Sequence, residues 1–327
     1  MEELILIDGN SLLFKAYYAT ASMGNLMVNK DGIPTNAVFS FANMLQKILE
    51  RESAYIVVAF DYGKKTFRND LLEQYKATRK ETPDELKCQF AMVREFLDAY
   101  SIPYYELEGY EGDDLIGTLS RIGEEQGLSV SIFTGDKDAF QLVSKQTTVY
   151  RTVKGVTQLD VYTPETIQEK YGLVPDQIRD FLGLMGDSAD NIPGIKGVGE
   201  KTALKLLHEY GTIENLKEHM HEIKGKMGEK IRENIDIGLQ SKKIATILRD
   251  VPVTLDLNQA RYDGYDFEKL KAFYTHYDMN SLLKKISVES RPTSKTDFQY
   301  EVVQKMPPIQ EDSSVLGAIY DQNYHKS

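Results

Sequence analysis

The chain reads as an α/β protein: a mostly parallel central sheet flanked by helices, followed by a smaller helical domain. Three observations predict this. Strand-like apolar runs alternate with helix-period stretches over residues 1–175. Three of those runs are followed closely by aspartate, as in strands that deliver acids to the carboxyl end of a sheet. From 176 to 288 the pattern turns predominantly helical around a glycine-rich hairpin.

The elements follow in order. Leu4–Asp8 is a buried strand, with Gly9-Asn10-Ser11 as turn and helix cap, and Ser11–Thr20 is a helix. Asn36–Arg51 is an amphipathic helix with Val38, Phe41, Leu45 and Ile48 on one face. Tyr55–Asp61 is the second strand. Phe90–Tyr100 is a helix ending before Pro103, and Gly112–Gln126 is another, stopped by Gly127. Val130–Thr134 is the third strand. Between the second strand and the next helix, residues 62–89 carry Lys64, Lys65, Arg68, Lys76, Arg79, Lys80 and Lys87 with Phe67 and Tyr75 interleaved. This stretch reads as a mobile basic excursion rather than packed core, and Thr82-Pro83-Asp84-Glu85 within it has the form of a helix start. Residues 289–327 read as a linker and the start of a further domain: Ser, Thr, Pro, Lys and Glu dominate up to 312, and Val315–Tyr320 resembles one isolated strand.

The 327 residues suffice for about two domains. The net charge of −11 argues against a nucleic-acid partner only weakly, because nine acids are expected to cluster and the remainder is near neutral. The single cysteine, Cys88, excludes an internal disulfide, fits a reducing cytoplasm and reads as a small buried apolar residue. The acidic Met-Glu-Glu start is not a signal peptide, and no apolar run approaches the ~20 residues that span a bilayer, so a membrane role is not expected. The five histidines lie in the second half, away from the acids, and read as structural or surface residues.

Those nine acids are Asp8, Asp61, Glu111, Asp113, Asp114, Asp136, Asp138, Asp187 and Asp190. Folding would bring most of them to one small volume, which is tolerable only with protonation or bound cations. Hard oxygen donors in this number suit magnesium, with manganese as the alternative, and a pair of ions would support in-line phosphate chemistry without a histidine base. An EF-hand is a poor fit, since Ala139-Phe140 follows Asp136-Lys137-Asp138 and the turn glycine is missing. The second motif is Gly194-Ile195-Lys196-Gly197-Val198-Gly199-Glu200-Lys201-Thr202-Ala203, behind Asn191-Ile192-Pro193. Glu200 stands where a Walker A loop needs lysine, so the better reading is a helix–hairpin–helix that grips DNA backbone without reading bases.

Taken together, Leu6-Ile7-Asp8-Gly9-Asn10, Ala59-Phe60-Asp61, Glu108–Asp114, Thr134–Asp138 and Gly186–Gly194 make residues 1 to about 288 resemble the 5′ nuclease (flap endonuclease) family, nearest the 5′→3′ exonuclease domains that begin bacterial DNA polymerases I. The resemblance implies a PIN-like 5′ nuclease fold with an H3TH helical domain. It implies a divalent-metal 5′→3′ exonuclease and flap endonuclease that leaves 5′-phosphate products in primer removal and repair. Asp8, Asp61, Glu111, Asp113 and Asp136 would surround one magnesium ion. Asp138, Asp187 and Asp190 would serve a second, with Asp114 in support. The 62–89 stretch would arch over the site: Lys76 and Arg79 would steer and polarise the phosphate, and Tyr75 would stack on a displaced base. Arg68 and Lys80 would touch DNA, as would the hairpin residues Gly194, Lys196, Gly197, Gly199, Lys201 and Thr202, with a potassium ion beside them. Lys15 stands where the family often has arginine, keeping charge without the bidentate fork. The implied partners are 5′ flaps, nicked or gapped duplex and RNA–DNA primer junctions, met by a cytoplasmic monomer. No polymerase activity is expected of this chain. A catalytically silent DNA-junction clamp would use the hairpin equally well, but the complete acid set favours an enzyme. An RNA-cutting nuclease of a related small fold would leave the helical domain surplus.

Overall fold

The structure is a computed structural model that describes residues 1–21 and 26–286. The expected linker and isolated strand at 289–327 lie outside the described residues. The sheet has six strands in the order β3-β2-β1-β4-β5-β6. They are β1 (Glu3–Asp8), β2 (Tyr55–Ala59), β3 (Tyr104–Tyr105), β4 (Ser129–Thr134), β5 (Thr147–Lys154) and β6 (Gln158–Tyr162). All neighbours are parallel except β5 with β6. The three expected strands are therefore the central ones. Three others were not anticipated: β3 has only two residues, and β5 is rich in threonine and charge rather than an apolar run.

The chain leaves β1 toward β2 on one side and β4 on the other, so the topological switch point lies at the carboxyl end of β1. Alternation along β1 sorts its residues to two layers. Ile5 and Ile7 face one core with Phe41, Phe96 and Phe133, whereas Leu4 and Leu6 face the other with Leu115, Leu119 and Ile247. The first layer holds α1 (Gly9–Ala21), α2 (Asn36–Leu49) and α4 (Asp84–Ala99). The short α3 (Phe67–Leu71) precedes α4, and the second layer holds α5 (Gly112–Glu125); α6 (Pro164–Tyr171) follows the sheet. Helix α4 starts at Asp84, where the Pro83-Asp84-Glu85 signature predicts a start, rather than at Phe90.

The helical part comprises α7 (Ile178–Met185), α8 (Glu200–Tyr210), α9 (Ile213–His219) and α10 (Gly225–Ala245). Helices α7 and α10 approach closely because Gly183 lacks a Cβ, which would stand 2.7 Å from that of Lys242. After α10 the chain returns to the α/β layers. Ile247 and Leu248 press against Gly117 of α5. The short α11 (Leu257–Ala260), α12 (Phe267–His276) and α13 (Asn280–Leu283) then cover the α4 face, with Phe273 and Tyr274 buried on Phe96. The stretch after α10, expected to extend the helical domain to 288, instead packs on the first.

Two further expectations are corrected. Residues 62–89 are not a mobile excursion throughout, since Arg68, Tyr75 and Leu86 are 3%, 6% and 0% exposed. Cys88 is exposed on the outer face of α4. Among the described residues no helix is long and apolar enough to cross a membrane.

Candidate active site

The site is built from strand ends upward. Asp8 closes β1, and its two oxygens accept from the Ser11 N–H at 2.9 Å and the Thr134 hydroxyl at 2.7 Å. Asp61 stands just beyond β2. It accepts from the Asn10 side-chain amide at 3.0 Å and the Gly112 N–H at 2.7 Å. That second bond seats the start of α5 against the strand, where Gly112 leaves room beside the Phe60 carbonyl carbon. Glu111 is the N-cap of α5 and Asp113 lies in its first turn. Beyond β4, Asp136 accepts from the Asp138 N–H at 3.0 Å, which turns the pair into one tight loop.

Asp187 and Asp190 arrive from the helical side. Their loop is closed by paired backbone bonds between Asp187 and Ile192 at 3.0 and 2.7 Å. It leaves α7 through Gly186, with φ of 75°, and meets Gly194, with φ of 60°. A Cβ at Gly194 would fall on the Gly186 backbone nitrogen, so the two glycines lie back to back. The same loop docks the basic segment. Asn191 donates from its side chain to the Gln74 carbonyl at 2.7 Å, and the Lys76 N–H donates to the Asp190 carbonyl at 2.9 Å. Lys76 itself has φ of 56°, an uncommon backbone state for a residue with a side chain.

Asp8, Asp61, Glu111, Asp113, Asp136, Asp138 and Asp187 line one cavity of about 560 Å³, together with Lys15, Lys76, Arg79 and Arg151. Asp190 lines a narrow adjoining space with Glu111, Asp113 and Asp138. Burial first, and crowding after it, raises carboxyl pKa values. Burial, with Asp61 and Asp136 nearby, pushes Asp8 up to about 6 against its bonds to Ser11 and Thr134. Burial and four neighbouring acids raise Asp113, and burial with Asp136, Asp187 and Asp190 raises Asp138. Burial also raises Glu111 and Asp187. The cations respond in the opposite sense. Lys76 lies 2.8 Å from Glu111 and 3.8 Å from Asp190, and Arg79 pairs with Asp190. Burial disfavours the charge of Lys76, but Glu111 and Asp190 outweigh it and raise its pKa. Among the described residues, no three acidic, histidine or cysteine groups already meet at metal-shell spacing. Glu111 and Asp190 are held by the basic segment instead.

Several expected residues take other positions. Asp114 is fully buried and faces away from the cavity: its oxygens accept from Arg68 at 2.7 and 2.8 Å, from the Leu248 N–H at 2.9 Å and from the Glu111 N–H at 3.1 Å. It is a structural acid, not a cavity ligand. Arg68, its partner, also donates to the Ile244 and Thr246 carbonyls at 2.8 and 2.9 Å and has no face left for DNA. Tyr75 is not free to stack, because its hydroxyl donates toward Glu111 at 3.2 Å and Asp190 at 3.3 Å from a buried ring. Lys80 is exposed, as are Lys196, Gly197, Gly199 and Lys201 of the hairpin; Thr202 is half-buried and Gly194 buried. Lys15 reaches across Gly135 to the Thr152 carbonyl and, at 2.6 Å, to the Thr152 hydroxyl. Sequence reasoning gave no role to Thr134, although it ends a strand and opens the Thr134–Asp138 run, or to Arg151, which depends on the unanticipated β5.

Comparison with known proteins places this arrangement. Residues 3–172 match the family described as 5'-3' exonuclease, N-terminal resolvase-like domain, and residues 173–268 match its C-terminal SAM fold. DNA polymerase I of Bacillus caldotenax is 45% identical over 99% of this chain and 37% of its own length. DNA polymerase I of Bacillus subtilis is 47% identical over 88% of the chain and 33% of its own length. The chain thus spans about a third of these curated relatives. Among solved structures, a zinc-bound T5 5'-exonuclease superposes with a TM-score of 0.60 at 19% identity, covering 75% of this chain and 89% of that one. The catalytic core of Rad2 in complex with DNA substrate gives 0.56 at 17% identity, covering 84% and 88%. At these identities the likeness is one of fold.

Proposed function

The chain belongs to the 5′–3′ exonuclease family, and from that membership we propose that it is a divalent-metal-dependent 5′→3′ exonuclease and flap endonuclease of DNA. The observation that carries the reading is one cavity lined by seven carboxylates against five cations, Lys15, Lys76, Arg79, Lys137 and Arg151. The donor set fits a hard divalent ion: oxygen only, anionic, and with pKa values raised by burial and then by neighbouring acids. Asp8, Asp61, Glu111, Asp113 and Asp136 would hold one ion, and Asp138, Asp187 and Asp190 another. Magnesium, or manganese in its place, would supply charge neutralisation and acidification of water for phosphodiester hydrolysis.

The chain's own residues do the rest. Asn10 and the Gly112 N–H fix Asp61, and Ser11 and Thr134 fix Asp8, so the central acids keep their direction. Lys76 and Arg79, released from Glu111 and Asp190, would bind and orient the scissile phosphate. The exposed Lys196 and Lys201, with the backbone at Gly197 and Gly199, would hold duplex phosphates beside a potassium ion. The substrates on this reading are 5′ flaps, nicked or gapped duplex and RNA–DNA primer junctions, bound by a monomer in the cytoplasm. The domains on this reading are a nuclease unit at 1–175 and a DNA-gripping unit that runs from 176 to the end of α10, after which the chain packs on the nuclease unit.

The test is cleavage of a 5′-labelled flap with and without magnesium. Asp136→Asn and Asp187→Asn should each lower the rate by on the order of 10²-fold or more while leaving the fold intact. Cleavage by both variants at the parental rate would overturn the site assignment.

A further inference from the structure

We infer that Arg151 and Lys15 form a phosphate-binding subsite on the β5 wall of the acidic cavity; the inference rests on the nuclease reading above. Both side chains line the cavity, yet they differ from Lys76 and Arg79, whose charges are taken up by Glu111 and Asp190. Lys15 bonds to neutral oxygens only, the carbonyl and hydroxyl of Thr152. Among the described residues Arg151 has one acid partner, Asp160 on β6, at the long distance of 3.4 Å, and its buried Nε has no hydrogen-bond partner. Its guanidinium lines the cavity, and a planar donor fork suits a planar or tetrahedral oxyanion.

The subsite is shaped as well as charged. Lys15 crosses over Gly135, where a Cβ would meet its Cε and Nζ at 2.6 Å. The Gly135 N–H is anchored on the Ser11 hydroxyl at 2.8 Å. Thr152, which holds the ammonium, is fully buried and tied to the Thr134 carbonyl at 3.2 Å. Register pairs Thr134 of β4 with Arg151 of β5, so this wall is continuous with the strand end that carries Asp136. Arg151 lies near enough to Lys15 to repel its charge, while Asp8 and Asp136 attract it from the acidic side of the cavity. Two cations held together against their repulsion gain most from an anion placed between them. On a wall apart from the Lys76 and Arg79 pairs, a strand phosphate is the anion that these two cations suit. The phosphate could be the terminal monoester at a 5′ end or an internal phosphodiester, and both share this chemistry.

The experiment measures binding of the full chain to a 3′-fluorescent duplex in EDTA at low salt, with the recessed 5′ end either phosphorylated or hydroxylated. Arg151→Gln should raise Kd roughly tenfold and reduce the salt slope by about one. Asp160→Asn, which frees Arg151 from its acid partner on β6, should lower Kd. A loss confined to the phosphorylated duplex identifies the terminal phosphate, and an equal loss on both identifies the backbone; either supports the subsite. An Arg151→Gln effect below twofold on both duplexes overturns it. So does weakening by both variants, which would mark the Arg151–Asp160 pair as structural, and so does a parent that binds neither duplex. Flap cleavage by the parent in magnesium separates the two readings. A parent that cleaves while Arg151→Gln binds unchanged sinks the subsite alone. A parent that does not cleave sinks the nuclease reading, and the binding arms still judge the subsite.

Discussion

Asp8 shows how a single carboxyl couples stability to its ligands. Its pKa rises from 3.8 to about 6 in the folded chain, chiefly through burial. The folded state therefore holds this proton more tightly than the unfolded one, and stability falls as pH rises from about 4 to about 6. Asp113 and Asp138 shift in the same direction. Without divalent ions, the melting temperature should decline over that range, with on the order of 1–3 kcal/mol lost from Asp8 alone. Asp113→Asn, which removes one crowded charge, should melt at or above the parent in EDTA and gain less from added magnesium. A parent melting curve independent of pH between 4 and 7 would contradict this account. The cations give a second prediction at the same scale. Because Lys76 and Arg79 sit against cavity acids rather than along a duplex track, Lys76→Ala and Arg79→Ala should slow single-turnover cleavage about tenfold or more while changing duplex Kd by less. Equal losses in rate and binding would reduce them to phosphate contacts. The acids were legible one by one in the sequence. Their supports were not, because nothing in a linear reading places Thr134 on Asp8 or Tyr75 on Glu111.

At the scale of elements, three pieces of chain meet at the buried Arg68–Asp114 pair: α3, the start of α5 and the segment leaving α10. An ion pair so enclosed contributes little net stability, but losing one partner strands the other charge. Arg68→Ala should therefore lower stability by about 3–5 kcal/mol, measured by urea unfolding. In the folded fraction it should leave salt-dependent DNA affinity nearly unchanged. A large loss of affinity without a loss of stability would return Arg68 to the DNA surface. The basic composition of residues 62–89 concealed this division of labour. Lys64, Lys65 and Lys80 are exposed, whereas Arg68 is packed, and the sequence offers the same charge at each. Helix α5 was read correctly because the acids at its start and the glycine after its end agree with the observed span. Strand β5 was missed because threonine and charge on a half-covered strand leave no apolar run.

Over the whole molecule, the chain after α10 doubles back, so its last described helices stabilise the sheet that the first residues begin. Phe273 is 2% exposed and lies 5.6 Å from Phe96, far along the chain from any cavity residue. Phe273→Ala should cost about 3–5 kcal/mol while the flap-cleavage rate of the folded fraction stays within about twofold; a rate collapse at unchanged stability would contradict that separation. Folding of the two parts is joined at the cavity too, since acids from both line it and the Asp187–Ile192 loop grips Gln74 and Lys76. The sequence by itself determined the central strands, the acids at their ends and the helical hairpin, because these follow from local periodicity, turn chemistry and the carboxyl-end rule of parallel sheets. Only the tertiary structure decided which acid faces away, which arginine is buried and where the chain after α10 returns. Those outcomes depend on contacts between segments distant in sequence, and no local pattern encodes which of several equal charges will find its partner.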